Sequence, residues 1–227
     1  MRDRVRSLMV FTTLGYRLLA FVGLPVLCIV IGYLTAAKLA ILSIPGYFVS
    51  AFLLVFFELM LDFMVFGGIC AKDVSHLDYL KGSRRGELVI RRALTGNIVR
   101  MLVSGAVVFG INLITYQIWG PEQGVVDLLP GWRHMELMAV LLFSACSIAI
   151  GLSVIGRFSE GLQLYYILSV VASFLEAGVL FLMVKWNLHV LLVVSVLLLV
   201  AMSVLNVRIA MRKIKESYYD KSIKDGD

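Results

Sequence analysis

From Val190 to Leu205 every position except Ser195 and Ser203 is apolar, and the apolar side chains fall on all sides of a helix. A helix on the surface of a soluble domain keeps a polar face; one that is apolar all round is buried or spans a membrane. A bilayer core about 30 Å thick takes roughly 20 predominantly apolar residues per helical crossing, and runs of this kind recur along the chain. The composition agrees, with 60% hydrophobic and 16% charged residues against about 25% charged in an ordinary soluble domain. In hydrocarbon the backbone must satisfy its own hydrogen bonds, which a continuous helix does. The short alternating segments of a membrane barrel are not present. The expected fold class is all-α, a polytopic membrane protein with no soluble catalytic domain.

Six crossings are expected, near Leu18–Leu34, Pro45–Phe66, Ile98–Trp119, Glu136–Ile155, Leu162–Val184 and Leu188–Val207. They make one transmembrane domain over 1–227. Ahead of them, 1–16 mixes Arg2, Arg4 and Arg6 with Val5, Leu8, Met9 and Phe11, a pattern suited to an amphipathic helix lying in the interface. No small-residue cleavage site follows this basic start, so it reads as retained rather than as a secretory signal.

Lysine and arginine set the orientation. With the N-terminus inside, the cytoplasmic parts hold 18 of the 21 basic residues: the first stretch to Arg17, the 67–97 loop with Arg100, Arg157, and a basic tail at 208–227. Only Lys38, Arg133 and Lys185 fall outside. Both termini are therefore expected in the cytoplasm. The net charge of +6 is then accounted for by orientation and attraction to anionic lipid. No aromatic-basic interleaving of the kind that stacks nucleic acid bases is present, and no nucleic-acid partner is expected.

The longest polar stretch between crossings is 67–97. Within it Val74, Leu77 and Leu80 recur at helical spacing among Lys72, Asp73, Asp78 and Lys81. Gly82 is suited to end that helix, and Ser83 to cap a second one that runs through Leu88, Val89 and Leu94 into the third crossing. A short helix, a corner and a rigid connection to the membrane can transmit a push from a cytoplasmic partner; a solvated interfacial hairpin without a partner has the same sequence pattern.

The stretch Leu80-Lys81-Gly82-Ser83-Arg84-Arg85, followed by an amphipathic helix, resembles the segment between the second and third crossings of permeases in type-two ATP-binding-cassette (ABC) exporters. The basic start and six-crossing layout are similar too. Members of that family often carry proline at the corner where this chain has Gly82-Ser83. The resemblance implies that Asp73, His76, Leu77, Asp78, Leu80 and Lys81 contact a separate ABC ATPase, with Arg84 and Arg85 at the margin. It implies a second permease copy or homologue to enclose a pathway, and a plasma-membrane location. The chain has no Gly-x4-Gly-Lys-Ser/Thr phosphate loop. It is thus expected not to be an enzyme and to hold no cofactor, ATP and Mg being bound by the partner ATPase.

Three acids fall in the interior of the crossings. Glu58 and Asp62 lie four residues apart, on one face of crossing two, and Glu176 lies near the middle of crossing five. Each costs up to roughly 3 kcal/mol at the bilayer centre, and the first two repel if both are ionised. They form a candidate translocation path, serving an ion- or proton-coupled carrier or channel as the alternative function. Equally, they pack structurally against hydroxyls, amides or Tyr165 and Tyr166. Asp62 is nearer the cytoplasmic end and expected to be wet. No Lys or Arg within the membrane is expected as an ion-pair mate.

His76, His134 and His189 are spread over both sides and do not suggest a metal site. Cys28, Cys70 and Cys146 show no metal-ligand or redox spacing. Ser104, Ser144, Ser147 and Ser153 have no paired base, and Gly151–Gly156 offers small residues for helix contact.

Overall fold

The computed structural model of the chain describes residues 3, 7–9, 11–27, 30, 46–70, 83–119, 131–157 and 162–224. Among these the chain is helical, without strands. An apolar helix α1 covers Leu14–Leu27. It is followed by α2 (Gly46–Cys70), α3 (Arg84–Trp119), α4 (Gly131–Arg157), α5 (Leu162–Lys185) and α6 (Leu188–Lys224). Five of these, α2 to α6, are long and apolar enough to cross a membrane. The second half of the expected first crossing, the Asp73–Lys81 segment, Gly82 and most of the loop before α4 lie outside the described residues.

The ends of the helices have local causes. Thr13 caps α1, its hydroxyl accepting from the Tyr16 N–H at 3.3 Å. Within α1 the ladder widens to a π-helical stretch at Leu19–Gly23. Ser83 caps α3 as its residue type suggests, its Oγ accepting from the Gly86 N–H at 3.0 Å. Between α5 and α6 only Trp186 and Asn187 turn the chain. There the Asn187 side chain accepts from the His189 N–H at 3.0 Å, capping α6. At 1.5 Å per residue, α3 with 36 residues and α6 with 37 are each about 54–56 Å long, well beyond the bilayer core. The expected basic tail is therefore, as far as Lys224, a continuation of the last helix.

The core falls into three layers along the bundle. In the middle Leu54, Val55 and Leu59 of α2 meet Met101 of α3, Ala145, Ala149 and Ile150 of α4, and Ala172 of α5. At one end Leu61, Val65 and Phe66 meet Ile90, Ala93 and Leu94, together with Ala210 and Ile214 of α6. This end carries the exposed Arg84, Arg85, Arg91, Arg92, Arg208, Arg212, Lys213 and Lys215 and is called the basic end below. At the other end Val140 and Leu141 meet Met183 and Leu191.

Helix α4 is the axis. Its apolar window is 67% buried, against 28–29% for α5 and α6. Lipid tails are as apolar as leucine, so helices in membranes associate through close packing and interhelical polar contacts, which favour small residues. Ser144, Ala145, Cys146, Ser147 and Ala149 give α4 such a surface, all of them buried. Gly105 of α3 packs close against this surface, where a Cβ would lie 2.9 Å from Cys146 Sγ and 3.0 Å from Leu142 Cδ1. Gly151, singled out by the sequence, faces Met202 at an ordinary 3.6 Å.

Of the described residues before α1, Leu8 and Phe11 pack onto the bundle. Leu8 is buried at the basic end beside Tyr16 and Phe66. Arg17 reaches back to the Thr12 hydroxyl and the Met9 carbonyl, each at 3.1 Å.

Candidate functional site: a four-helix polar network

Six of the buried polar residues gather just above the basic end. Glu58 and Asp62 are one turn apart on α2 and are 1% and 0% exposed. Asn97 and Arg100, three apart on α3, and Arg157, the last residue of α4, are buried with them, as is Asn206 on α6. Helical spacing puts Asn97 and Arg100 on one face, next to the apolar Ala93 and Leu94 that seat α3 against α2.

The contacts form one continuous chain. The Arg100 guanidinium grips Glu58 with two bonds, Nη1 donating to Oε1 at 3.0 Å and Nη2 donating to Oε2. Arg100 Nε donates to Asn97 Oδ1 at 3.0 Å, and Asn97 Nδ2 donates to Asp62 Oδ1 at 2.7 Å. Arg157 grips Asp62 from the other side, Nε to Oδ2 at 2.7 Å and Nη2 to Oδ1 at 2.6 Å. Its Nη1 donates to Asn206 Oδ1 at 2.9 Å. Asn206 Nδ2 donates in turn to Ser153 Oγ at 2.9 Å and to the Ile150 carbonyl. Aromatic rings cover the cations: Arg157 Cζ is 4.6 Å from the Phe66 ring centroid and Arg100 Cζ 5.6 Å from that of Tyr16, geometry for cation–π attraction.

Two expectations are corrected by this geometry, and a third is answered. Each acid of α2 does have an arginine mate; Arg100 and Arg157, counted among loop charges, are buried inside the bundle. Asp62 is fully enclosed rather than wet, because Arg157, Asn97 and the surrounding helices close over it. The repulsion expected between Glu58 and Asp62 is offset by one bidentate guanidinium each, so the four charges cancel. Bidentate arginine–carboxylate bonds are among the stronger hydrogen bonds, and a buried polar network stabilises only when all its members are satisfied.

The third acid stands apart. Glu176 is 1% exposed, and neither of its carboxylate oxygens has a hydrogen-bond partner among the described residues. It shares a helix stripe with Leu168, Ala172, Val179 and Met183, the face of α5 that packs on the bundle. Tyr166 is 53% exposed on the outer surface and does not serve the acid.

The serine hydroxyls turn inward on their own helices. Ser144 donates to the Leu141 carbonyl, Ser147 to that of Phe143 and Ser153 to that of Ile150. His189 Nδ1 lies 2.9 Å from Glu136 Oε1 at the end opposite the basic one. Among the described residues no three His, Cys, Asp or Glu side chains cluster as metal ligands. Cys146 is a free, buried thiol. Of the residues expected at a partner's surface, Arg84 and Arg85 are exposed at the start of α3; Asp73, His76, Leu77, Asp78, Leu80 and Lys81 lie outside the described residues.

No family model, curated protein or solved structure matches the chain.

Proposed function

We propose that the chain is the membrane-spanning permease subunit of an ABC exporter. It moves a peptide, lipid or hydrophobic small molecule outward, driven by a separate ATPase that docks on the 67–97 loop. A second permease copy or homologue completes the pathway, in the plasma membrane with both termini in the cytoplasm.

One observation carries this reading beyond the sequence resemblance. Helix α3 runs unbroken from its Ser83 cap to Trp119, and it carries Asn97 and Arg100 of the polar network. A displacement at the start of α3 therefore bears directly on α2 through Glu58, and on α4 and α6 through the Asp62–Arg157–Asn206 connection. A rigid element of this kind is what a motor outside the membrane needs to move several crossings together. Ion pairs inside the bundle give it discrete contacts to break and remake.

The alternative, an ion- or proton-coupled carrier or channel, has less to work with. Glu58 and Asp62 are each occupied by an arginine, which leaves Glu176 as the acid without a protein partner among the described residues.

The test is purification of the tagged chain in mild detergent with its neighbours, followed by assay of ATPase activity. An ABC ATPase that co-purifies, hydrolyses ATP and is lost on Leu77→Asp or on deletion of Asp73–Lys81 is the expected result. A chain that comes down alone and without ATPase activity overturns the proposal.

A further inference from the structure

We infer that Glu176 is a reversible proton-binding site within the membrane bundle, its carboxyl neutral while α5 is packed on α4 and α2. The inference stands on the bundle geometry and does not depend on which kind of transport the chain performs.

The three intramembrane acids receive opposite treatment. Glu58 and Asp62 have every carboxylate oxygen engaged by arginine or asparagine donors. Glu176 is as deeply buried and has none among the described residues. A buried carboxylate without a counter-charge or donor is too costly to hold ionised, and takes a proton instead. Its neighbours one turn away along α5 include Ala172, Ser173 and Val179, and the one donor among these, the Ser173 hydroxyl, is given to the Ser169 carbonyl at 2.9 Å.

Among the described residues, no charged or titratable group on the elements packed against α5 bonds to Glu176. On α2 these groups are Glu58 and Asp62, held by Arg100 and Arg157. On α4 Arg157 is spent on Asp62 and Asn206, Glu136 sits beside His189 of α6, and Cys146 lies in the middle core layer. On α5 itself Tyr166 points outward. None of these gives Glu176 a hydrogen bond. The proton is thus the ligand that satisfies the site as it stands. Its release requires α5 to separate from the bundle enough for water or a cation to reach the acid, which couples protonation to the packing of this helix.

The experiment treats the full chain, in mild detergent or liposomes, with N,N′-dicyclohexylcarbodiimide and maps the adducts by peptide mass spectrometry. This apolar reagent adds a protonated carboxyl across its C=N bond, with the acid proton passing to nitrogen and no leaving group. The expected adduct is at Glu176, absent from Glu176→Gln, weaker as pH is raised, and not found at Glu58 or Asp62. Infrared difference spectra of the same samples keep the result independent of reagent access. A protonated-carboxyl C=O band should be present in the parent, missing in Glu176→Gln and replaced by carboxylate bands at alkaline pH. Absence of that band at every pH overturns the inference, as does a band that never titrates or an adduct pattern that does not distinguish Glu176 from the paired acids.

Discussion

At the scale of single residues, Asp62 is the position on which most of the network hangs. It accepts three hydrogen bonds from Asn97 and Arg157, and removing its charge leaves the fully buried Arg157 guanidinium uncompensated. Breaking one member of a buried pair typically costs about 3–5 kcal/mol, whereas replacing both by apolar side chains is often close to neutral. Asp62→Leu is therefore expected to lower the thermal midpoint in detergent sharply, and Asp62→Leu with Arg157→Leu to recover part of the loss, the Asn97 and Asn206 amides each having lost a partner. A double variant no more stable than the single one would show that the pair is not the dominant contact. Only the two acids of this site were legible in the sequence. The acids stood out because a carboxylate in an apolar run is expensive. Their partners did not, because Arg100 and Arg157 lie near the ends of apolar runs, where arginine ordinarily marks a loop, and 42 and 95 residues from their acids. The available signal was the Asn97–Arg100 spacing beside Ala93 and Leu94, together with the amide of Asn206 at the close of an otherwise apolar run.

At the scale of elements, each of α2 to α6 lies on one of the expected apolar runs, though α3 begins at Arg84 rather than Ile98 and α6 continues to Lys224 rather than ending at Val207. What the runs could not give was which helix sits at the centre. That depends on side-chain size at contacts between distant segments, and α4 earns its place through small residues rather than through hydropathy. The contact with α3 at Gly105 provides a test. Adding one methyl there meets Cys146 and Leu142 at 2.9–3.0 Å, whereas Gly110, also on α3, has nothing within 4 Å. Alanine is up to about 1 kcal/mol more favourable than glycine in a helix interior, while forcing an extra carbon into a filled contact costs about 1–3 kcal/mol. Gly110→Ala should hold or raise the thermal midpoint, and Gly105→Ala should fall below Gly110→Ala because the side-chain ends of Cys146 and Leu142 must turn aside for the new methyl. If both variants behave alike, the close α3–α4 approach is not present in the protein. The ion pairs at the exposed ends deserve less weight. Lys215–Glu87 and Arg212–Glu216 are solvent-exposed, and such pairs contribute about 0–1 kcal/mol.

At the scale of the whole molecule, everything proposed for a cytoplasmic motor depends on which side the basic end faces. The physical argument is the asymmetry itself. Arg84, Arg85, Arg91, Arg92, Arg208, Arg212, Lys213 and Lys215 are exposed at one end, while the described tip at the other end is the short Trp186–Asn187 turn. Basic flanks of crossings are retained in the cytoplasm and are attracted there by anionic lipid. With the native cysteines replaced, Asn187→Cys should therefore react with a membrane-impermeant maleimide on intact cells. Arg85→Cys and Lys213→Cys, both at exposed positions, should react only after permeabilisation. The opposite pattern would turn the start of α3 away from the cytoplasm, out of reach of any ATP-driven partner. It would remove the exporter reading at a stroke while leaving the paired acids and the protonation of Glu176 where they are, since those rest on contacts inside the bundle and not on its direction in the membrane.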